Sequence, residues 1–179
     1  MQACAYVIGN GDRATRLVSL AHDLDFRVVL PFNAVADAET RWNDPPVAFF
    51  LFAEVPRLAA HAEIIAAIRR SPVATLKFSP LIYFCRSPSM DDINACLGMG
   101  FDDIITEPHS SERVAGRLQR QIGAELTYFD TPGYFGPDRR RHQRIETGRV
   151  EPAGYRRVAI FRDLATGISV LGEGEQAIL

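Results

Sequence analysis

Lysine is almost missing from this chain: of 20 basic residues only Lys77 is one, and the rest are arginine, so a lysine absent where a chemistry needs it is easy to see. Cysteine is scarce and odd in number. Cys4, Cys85 and Cys96 show no CxxC or Cys/His spacing, which excludes a disulfide framework or zinc site and reads them as buried small hydrophobes. No apolar run approaches the roughly 18–20 residues that a membrane-crossing helix needs. Met1 to Tyr6 lacks the basic start of a signal peptide, and the chain is expected to be cytoplasmic. There is no Gly-rich phosphate loop, no Gly-x-Ser-x-Gly and no His-Glu-x-x-His, so neither a catalytic centre nor a cofactor is expected. His22, His61, His109 and His142 lack metal-ligand spacing and read as exposed or capping residues.

What is present fits one core with an appendage: 179 residues, 47% apolar and 23% charged. Ala3–Gly9 is a short apolar run ended by Asn10-Gly11-Asp12, a buried strand followed by a helix for which Asp12 is a candidate N-cap. Ala14, Leu17, Val18, Ala21 and Leu24 then recur at helical spacing. Arg27–Leu30 reads as a second strand and Ala34–Trp42 as a second helix. Val47–Phe52 is continuously apolar, the pattern of a central parallel strand covered on both faces. Helix Ala59–Arg70, strand Leu81–Cys85, helix Met90–Leu97, strand Asp103–Thr106 and helix Ser110–Ile122 with Ser110 as cap complete the alternation. Five strands alternating with five helices predict an α/β fold, a doubly wound five-stranded parallel sheet over residues 1–122, with a C-terminal extension over 123–179.

The stretch Ala95-Cys96-Leu97-Gly98-Met99-Gly100-Phe101-Asp102-Asp103-Ile104-Ile105-Thr106-Glu107-Pro108 resembles the receiver-domain run in which an Ala-Leu-x-x-Gly-Ala helix end leads through Asp-Asp-Tyr into a strand and then Lys-Pro. The resemblance implies the flavodoxin-like receiver fold of bacterial two-component signalling. In a phosphorylatable receiver the first strand ends in acidic residues that hold magnesium, the third in the phosphoacceptor aspartate, the fourth in Thr or Ser, and the fifth in lysine. Here the acidic pair falls on Asn10 and Gly11, leaving Asp12 over. Counting back four residues from Pro56 places Phe52 at the phosphoacceptor, with Glu54 two residues on. Cys85 or Ser87 takes the hydroxyl's place, and Glu107 stands where lysine precedes Pro108.

Acyl phosphate formation needs a carboxylate nucleophile, a hard cation held by further carboxylates, and a positive charge for the incoming phosphoryl group. Phe52 supplies none of these, and Glu107 reverses the last. The resemblance therefore implies a pseudo-receiver whose Asp12, Glu54 and Glu107 solvate the sheet edge; the alternative is that these three gather a divalent cation. Its partners would be a histidine kinase, a phosphotransfer protein or another receiver, with Met90 to Ile122 as the output face and a homodimer as one arrangement.

Beyond Ile122, Thr131-Pro132-Gly133-Tyr134-Phe135-Gly136-Pro137-Asp138 reads as a turn-rich, aromatic tail, followed by Arg139, Arg140, Arg141 and Arg144. Tyr134 to Arg162 holds eight arginines against Asp138, Glu146 and Glu151, a balance of +5 in a chain of net charge −2. Two readings stay open: Tyr134 and Phe135 anchor on a partner while Asp138 and the arginines engage charged groups, or the tail packs on its own core. Val158–Phe161 and Ile168–Leu171 predict a hairpin. Arg140-x-x-x-Arg144 with Asp163…Gly167 is similar to the PilZ pattern for cyclic di-GMP, one residue too long; the alternative function is thus a nucleotide effector using the arginines. A pI of about 6.1 and the lack of a helix-turn-helix argue against nucleic acid.

Overall fold

The apolar runs become strands in the expected order. A computed structural model describes residues 1–41, 46–138 and 155–176. β1 (Cys4–Ile8), β2 (Val28–Pro31), β3 (Ala48–Ala53), β4 (Leu81–Cys85) and β5 (Asp103–Thr106) form one parallel sheet in the order β2-β1-β3-β4-β5. Strand period two sorts its side chains onto two cores. Ala5, Val7, Phe49, Leu51, Ile82 and Phe84 meet Leu17 and Leu20 of α1 (Gly11–Asp23) and Val114 and Leu118 of α6 (Ser111–Gln119). Tyr6, Ile8, Phe50, Phe52, Tyr83 and Cys85 meet Ile65 and Ile68 of α3 (Ala62–Arg70) and Cys96 of α5 (Met90–Gly98). Each fully buried large side chain contributes about 1.5–3 kcal/mol.

Local signals hold at most ends. Ser89 and Asp92 form a capping box on α5, and Ser110 caps α6 by accepting from the Arg113 backbone N–H. Asp12 does not cap α1: Asn10 holds the N-cap position and Asp12 falls in the first turn, because the helix starts two residues early at Gly11, whose φ is +64°. The second helix, α2, covers Val35–Glu39, and Trp42 lies outside the described residues. A four-residue turn not read from the sequence, α4 (Ala74–Lys77), precedes β4. Among the described residues no helix is long and apolar enough to cross a membrane.

The extension carries the expected hairpin, its strands longer than read and turning at Asp163–Gly167, within a second, four-stranded sheet. β6 (Glu125–Thr131), β7 (Tyr134–Pro137), β8 (Tyr155–Asp163) and β9 (Gly167–Gln176) pair antiparallel in the order β7-β6-β8-β9. The Pro132-Gly133 pair that suggested a loose segment is the turn between β6 and β7. Tyr128, Val158 and Ile160 close on Phe78, with Leu126, Phe135 and Ile168 at the margin. The contact is tight at Gly100, where φ is +89° and a Cβ would stand 2.3 Å from the Phe135 carbonyl oxygen.

Candidate functional site

The carboxyl edge of the parallel sheet gathers the residues that the receiver resemblance singled out. Phe52 is fully buried, its ring 5.1 Å from His61 and 5.0 Å from Phe101, edge to face in both cases. His61, expected at the surface, is buried: the short 3-10 turn Leu58–His61 brings the ring under β3, where Nε2 donates to the Ala53 carbonyl at 2.9 Å. Burial lowers its pKa, against the opposing effect of that hydrogen bond. Cys85 is buried at the end of β4, and desolvation, reinforced by Asp92 and Glu107, pushes its thiol up to about 11. It is therefore protonated and not a nucleophile at neutral pH. Cys4 and Cys96 are also buried free thiols, as expected.

Two of the carboxylates at this edge are already countered. Glu54 pairs with Arg13 of α1, and Glu107 accepts from Arg86 Nε at 2.9 Å. Asn10, Gly11 and Asp12 are exposed at the α1 start, and Ser87 is exposed beyond β4. A cleft of about 310 Å³ lies here, lined by Arg13, Glu54, Tyr83, Cys85, Ser87 and Asp92 among others. Asp12, Glu54 and Glu107 do not assemble: among the described residues no group of three or more His, Cys, Asp or Glu side chains could hold a metal. The cation alternative is thereby corrected, since two of the three carboxylates point to arginines.

The strongest electrostatic feature sits at the opposite, amino edge, where sequence reading placed nothing. Asp102, just before β5, is buried and accepts from Arg69 of α3 at 2.6 Å, from the Leu81 backbone N–H at 2.8 Å, from Arg162 of β8 at 2.8 Å, and from the Tyr128 hydroxyl of β6. Arg162 also donates to the Phe78 carbonyl at 2.8 Å and to Gln121 Oε1 at 3.0 Å; Arg69 donates to the carbonyls of Lys77, Ser79 and Gly100. Burial alone would raise the Asp102 carboxyl, but Arg162 and Arg69 hold it at about 2. Arg162, counted from sequence in a solvated basic cluster, is 0% exposed. The available signal was positional: Asp102 stands beside an Asp already assigned to β5, and Arg162 lies on an alternating strand next to Phe161.

Phe135 packs on Phe78 and Tyr128 with ring centroids 5.7 Å away in each case, and Lys77 lies 4.6 Å over it. The Tyr134 hydroxyl donates to the Pro137 carbonyl at 3.0 Å. These two residues thus take the second of the two readings, packing on their own core. Asp138 donates its backbone N–H to the Thr127 carbonyl at 2.7 Å. Arg139, Arg140, Arg141, Arg144 and His142 lie outside the described residues.

No protein-family model matches the chain, and no curated protein matches it in sequence. Among solved structures, the receiver domain of a sensor histidine kinase from Pseudomonas aeruginosa PAO1, which holds a magnesium ion in its active-site cleft, matches with TM-score 0.51 and 20% identity over 69% of this chain and 98% of that one. The receiver domain of a Syntrophus aciditrophicus histidine kinase matches at TM-score 0.47 and 16% identity, over 66% and 88% of the two chains. A response regulator in red light signalling of R. palustris matches at 0.44 and 14%, over 66% and 90%. With strand order β2-β1-β3-β4-β5 and near-complete coverage of the Pseudomonas domain, the N-terminal unit of this chain has the receiver-domain fold.

Proposed function

We propose that this chain is a receiver-like regulatory module of bacterial two-component signalling that acts by protein–protein interaction and is not itself phosphorylated. The observation that carries this reading is Phe52, sealed among aromatic rings at the position where the family's pattern requires a carboxylate. Glu107 in place of the lysine supports it: its charge is committed to Arg86 and is of the wrong sign to hold a phosphoryl group. Without that switch, any change of state has to come from a partner with unequal affinity for two conformations. The partner class is a histidine kinase, a phosphotransfer protein or another receiver, and a second copy of the chain through Met90 to Ile122 is the homodimer form of the same reading.

Incubation with a histidine kinase and radiolabelled ATP, and separately with acetyl phosphate and magnesium followed by intact mass measurement, tests the proposal. No stable label and no 80 Da adduct are expected, the latter figure being about the mass a phosphoryl group adds. An acid-stable, hydroxylamine-sensitive adduct overturns it.

A further inference from the structure

A guanidinium carries five N–H donors, and buried Arg69 places only four of them. Its Nη1 donates to the Lys77 and Ser79 carbonyls, and its Nη2 to the Gly100 carbonyl and to Asp102. Nε is buried and, among the described residues, has no acceptor. The charge around it is also unbalanced. Arg69 and Arg162 share the single carboxylate of Asp102, which leaves one positive charge over in a group whose side chains are at most 3% exposed.

Arg69 forms part of the wall of a cleft of about 330 Å³ that is lined by both sheets' units. One side is the face of α3 that carries Ile65 and Arg69, with Arg70 at the helix end; the other is the end of α5 at Met99 and the turn between β6 and β7. Ile65, Met99, Tyr134 and Phe135 supply apolar surface. Exposed Arg70 and half-buried Asp130 line it as well, and among the described residues neither side chain has an ion-pair or hydrogen-bond partner. Period two along β6 puts Asp130 on the face of buried Tyr128, which is turned to the parallel-sheet unit. Arg156 stands opposite Asp130 in register but pairs with Glu173.

We propose that this cleft binds a free α-amino acid with a large apolar or aromatic side chain. The ligand's carboxylate faces Arg70 and the Nε–H of Arg69, where the surplus positive charge and the unmet donor favour an anion. Its ammonium faces Asp130. Its side chain lies against Met99, Tyr134 and Phe135, where ring and sulfur–aromatic contacts add to apolar burial. The volume stands at the lower end of the roughly 300–1,000 Å³ of small-ligand sites, which suits a single amino acid. Such a site goes beyond the signalling role proposed above and does not depend on the state of the carboxyl edge.

The test titrates the full-length, ¹⁵N-labelled chain with L-phenylalanine, with 3-phenylpropionate, which lacks the ammonium, and with 2-phenylethylamine, which lacks the carboxylate, and follows amide chemical shifts. Millimolar phenylalanine is expected to shift residues 62–70, Met99 and residues 130–135. Each truncated compound should bind roughly tenfold more weakly, the scale of one lost charge-assisted hydrogen bond. Asp130→Asn should weaken phenylalanine and 2-phenylethylamine and spare 3-phenylpropionate; Arg70→Gln should weaken phenylalanine and 3-phenylpropionate and spare 2-phenylethylamine. Neither substitution touches the buried Asp102 group, and far-ultraviolet circular dichroism checks that both variants fold. Equal binding of the three compounds, shifts centred elsewhere, or no shifts with phenylalanine overturns the proposal. So does tightest binding by 3-phenylpropionate, because the cleft is then a site for anions alone.

Discussion

Replacing Asp102 by asparagine keeps the shape of the side chain and removes the single buried anion between Arg69 and Arg162, whose side chains are 3% and 0% exposed. Breaking a buried ion pair from one side costs about 3–5 kcal/mol, because the remaining charge stays desolvated without a partner. Here two guanidiniums are left behind. The new amide also carries a donor where the carboxylate had only acceptors. Its NH₂ faces either Leu81 N–H and Arg69 or Tyr128 and Arg162, and that conflict adds roughly 1–3 kcal/mol. Since whole domains are stable by about 5–15 kcal/mol, Asp102→Asn is expected to remove at least about 3 kcal/mol and to leave little margin. Urea unfolding at pH 7, followed by far-ultraviolet circular dichroism, measures it. Arg162→Met is the diagnostic companion: it leaves Asp102 paired with Arg69 alone, one anion to one cation, and is expected to cost less than Asp102→Asn. A loss below about 1 kcal/mol for Asp102→Asn, or a larger loss for Arg162→Met, would refute the argument that the carboxylate neutralises both arginines. The pH dependence has a definite sign. The folded carboxyl is held at about 2, below its unfolded value of roughly 3.9, so this stabilisation is complete above about pH 4 and is lost as pH falls toward 2.

Phe52→Asp, which puts a carboxylate where the proposed receiver pattern calls for one, is expected to destabilise by about 3–5 kcal/mol, by removing a packed ring and burying a charge beside His61 and Phe101, and to gain no acetyl phosphate adduct; unfolding curves and intact mass check both parts. Gly100→Ala puts a methyl 2.3 Å from the Phe135 carbonyl at a φ of +89°; it should cost about 3 kcal/mol, which for a chain of this size is roughly 6–12 °C in Tm by calorimetry. Burial depresses the pKa of His61, so the unfolded chain binds more protons below its usual value of roughly 6.5 and stability should fall as pH drops from about 7 to 5. His61→Gln keeps a donor for the Ala53 carbonyl, and the urea midpoint should lose that part of its pH dependence.

The parallel sheet was legible because its central strands are covered on both faces, which forces uninterrupted apolar runs such as Phe49-Phe50-Leu51-Phe52 that composition alone exposes. The second sheet was less legible because each of its signals had a simpler reading. Leu126 and Tyr128 alternate as a half-buried strand should, yet the Thr131-Pro132-Gly133 turn beside them reads as the start of a loose tail. Arg162 shows why charge patterning misled: a residue's sign is written in the sequence, but its partner is not, and the partner, Asp102, lies sixty positions away on another element. The same holds for His61, whose ring is drawn inward by a 3-10 turn that no periodicity marks. The consequence reaches function. Because Asp102 is bound at once by α3, β6 and β8, the C-terminal sheet shares a buried charge balance with the parallel-sheet unit, and the two cannot separate without stranding cations in the core. Any surface that spans both sheets is therefore presented in one fixed arrangement.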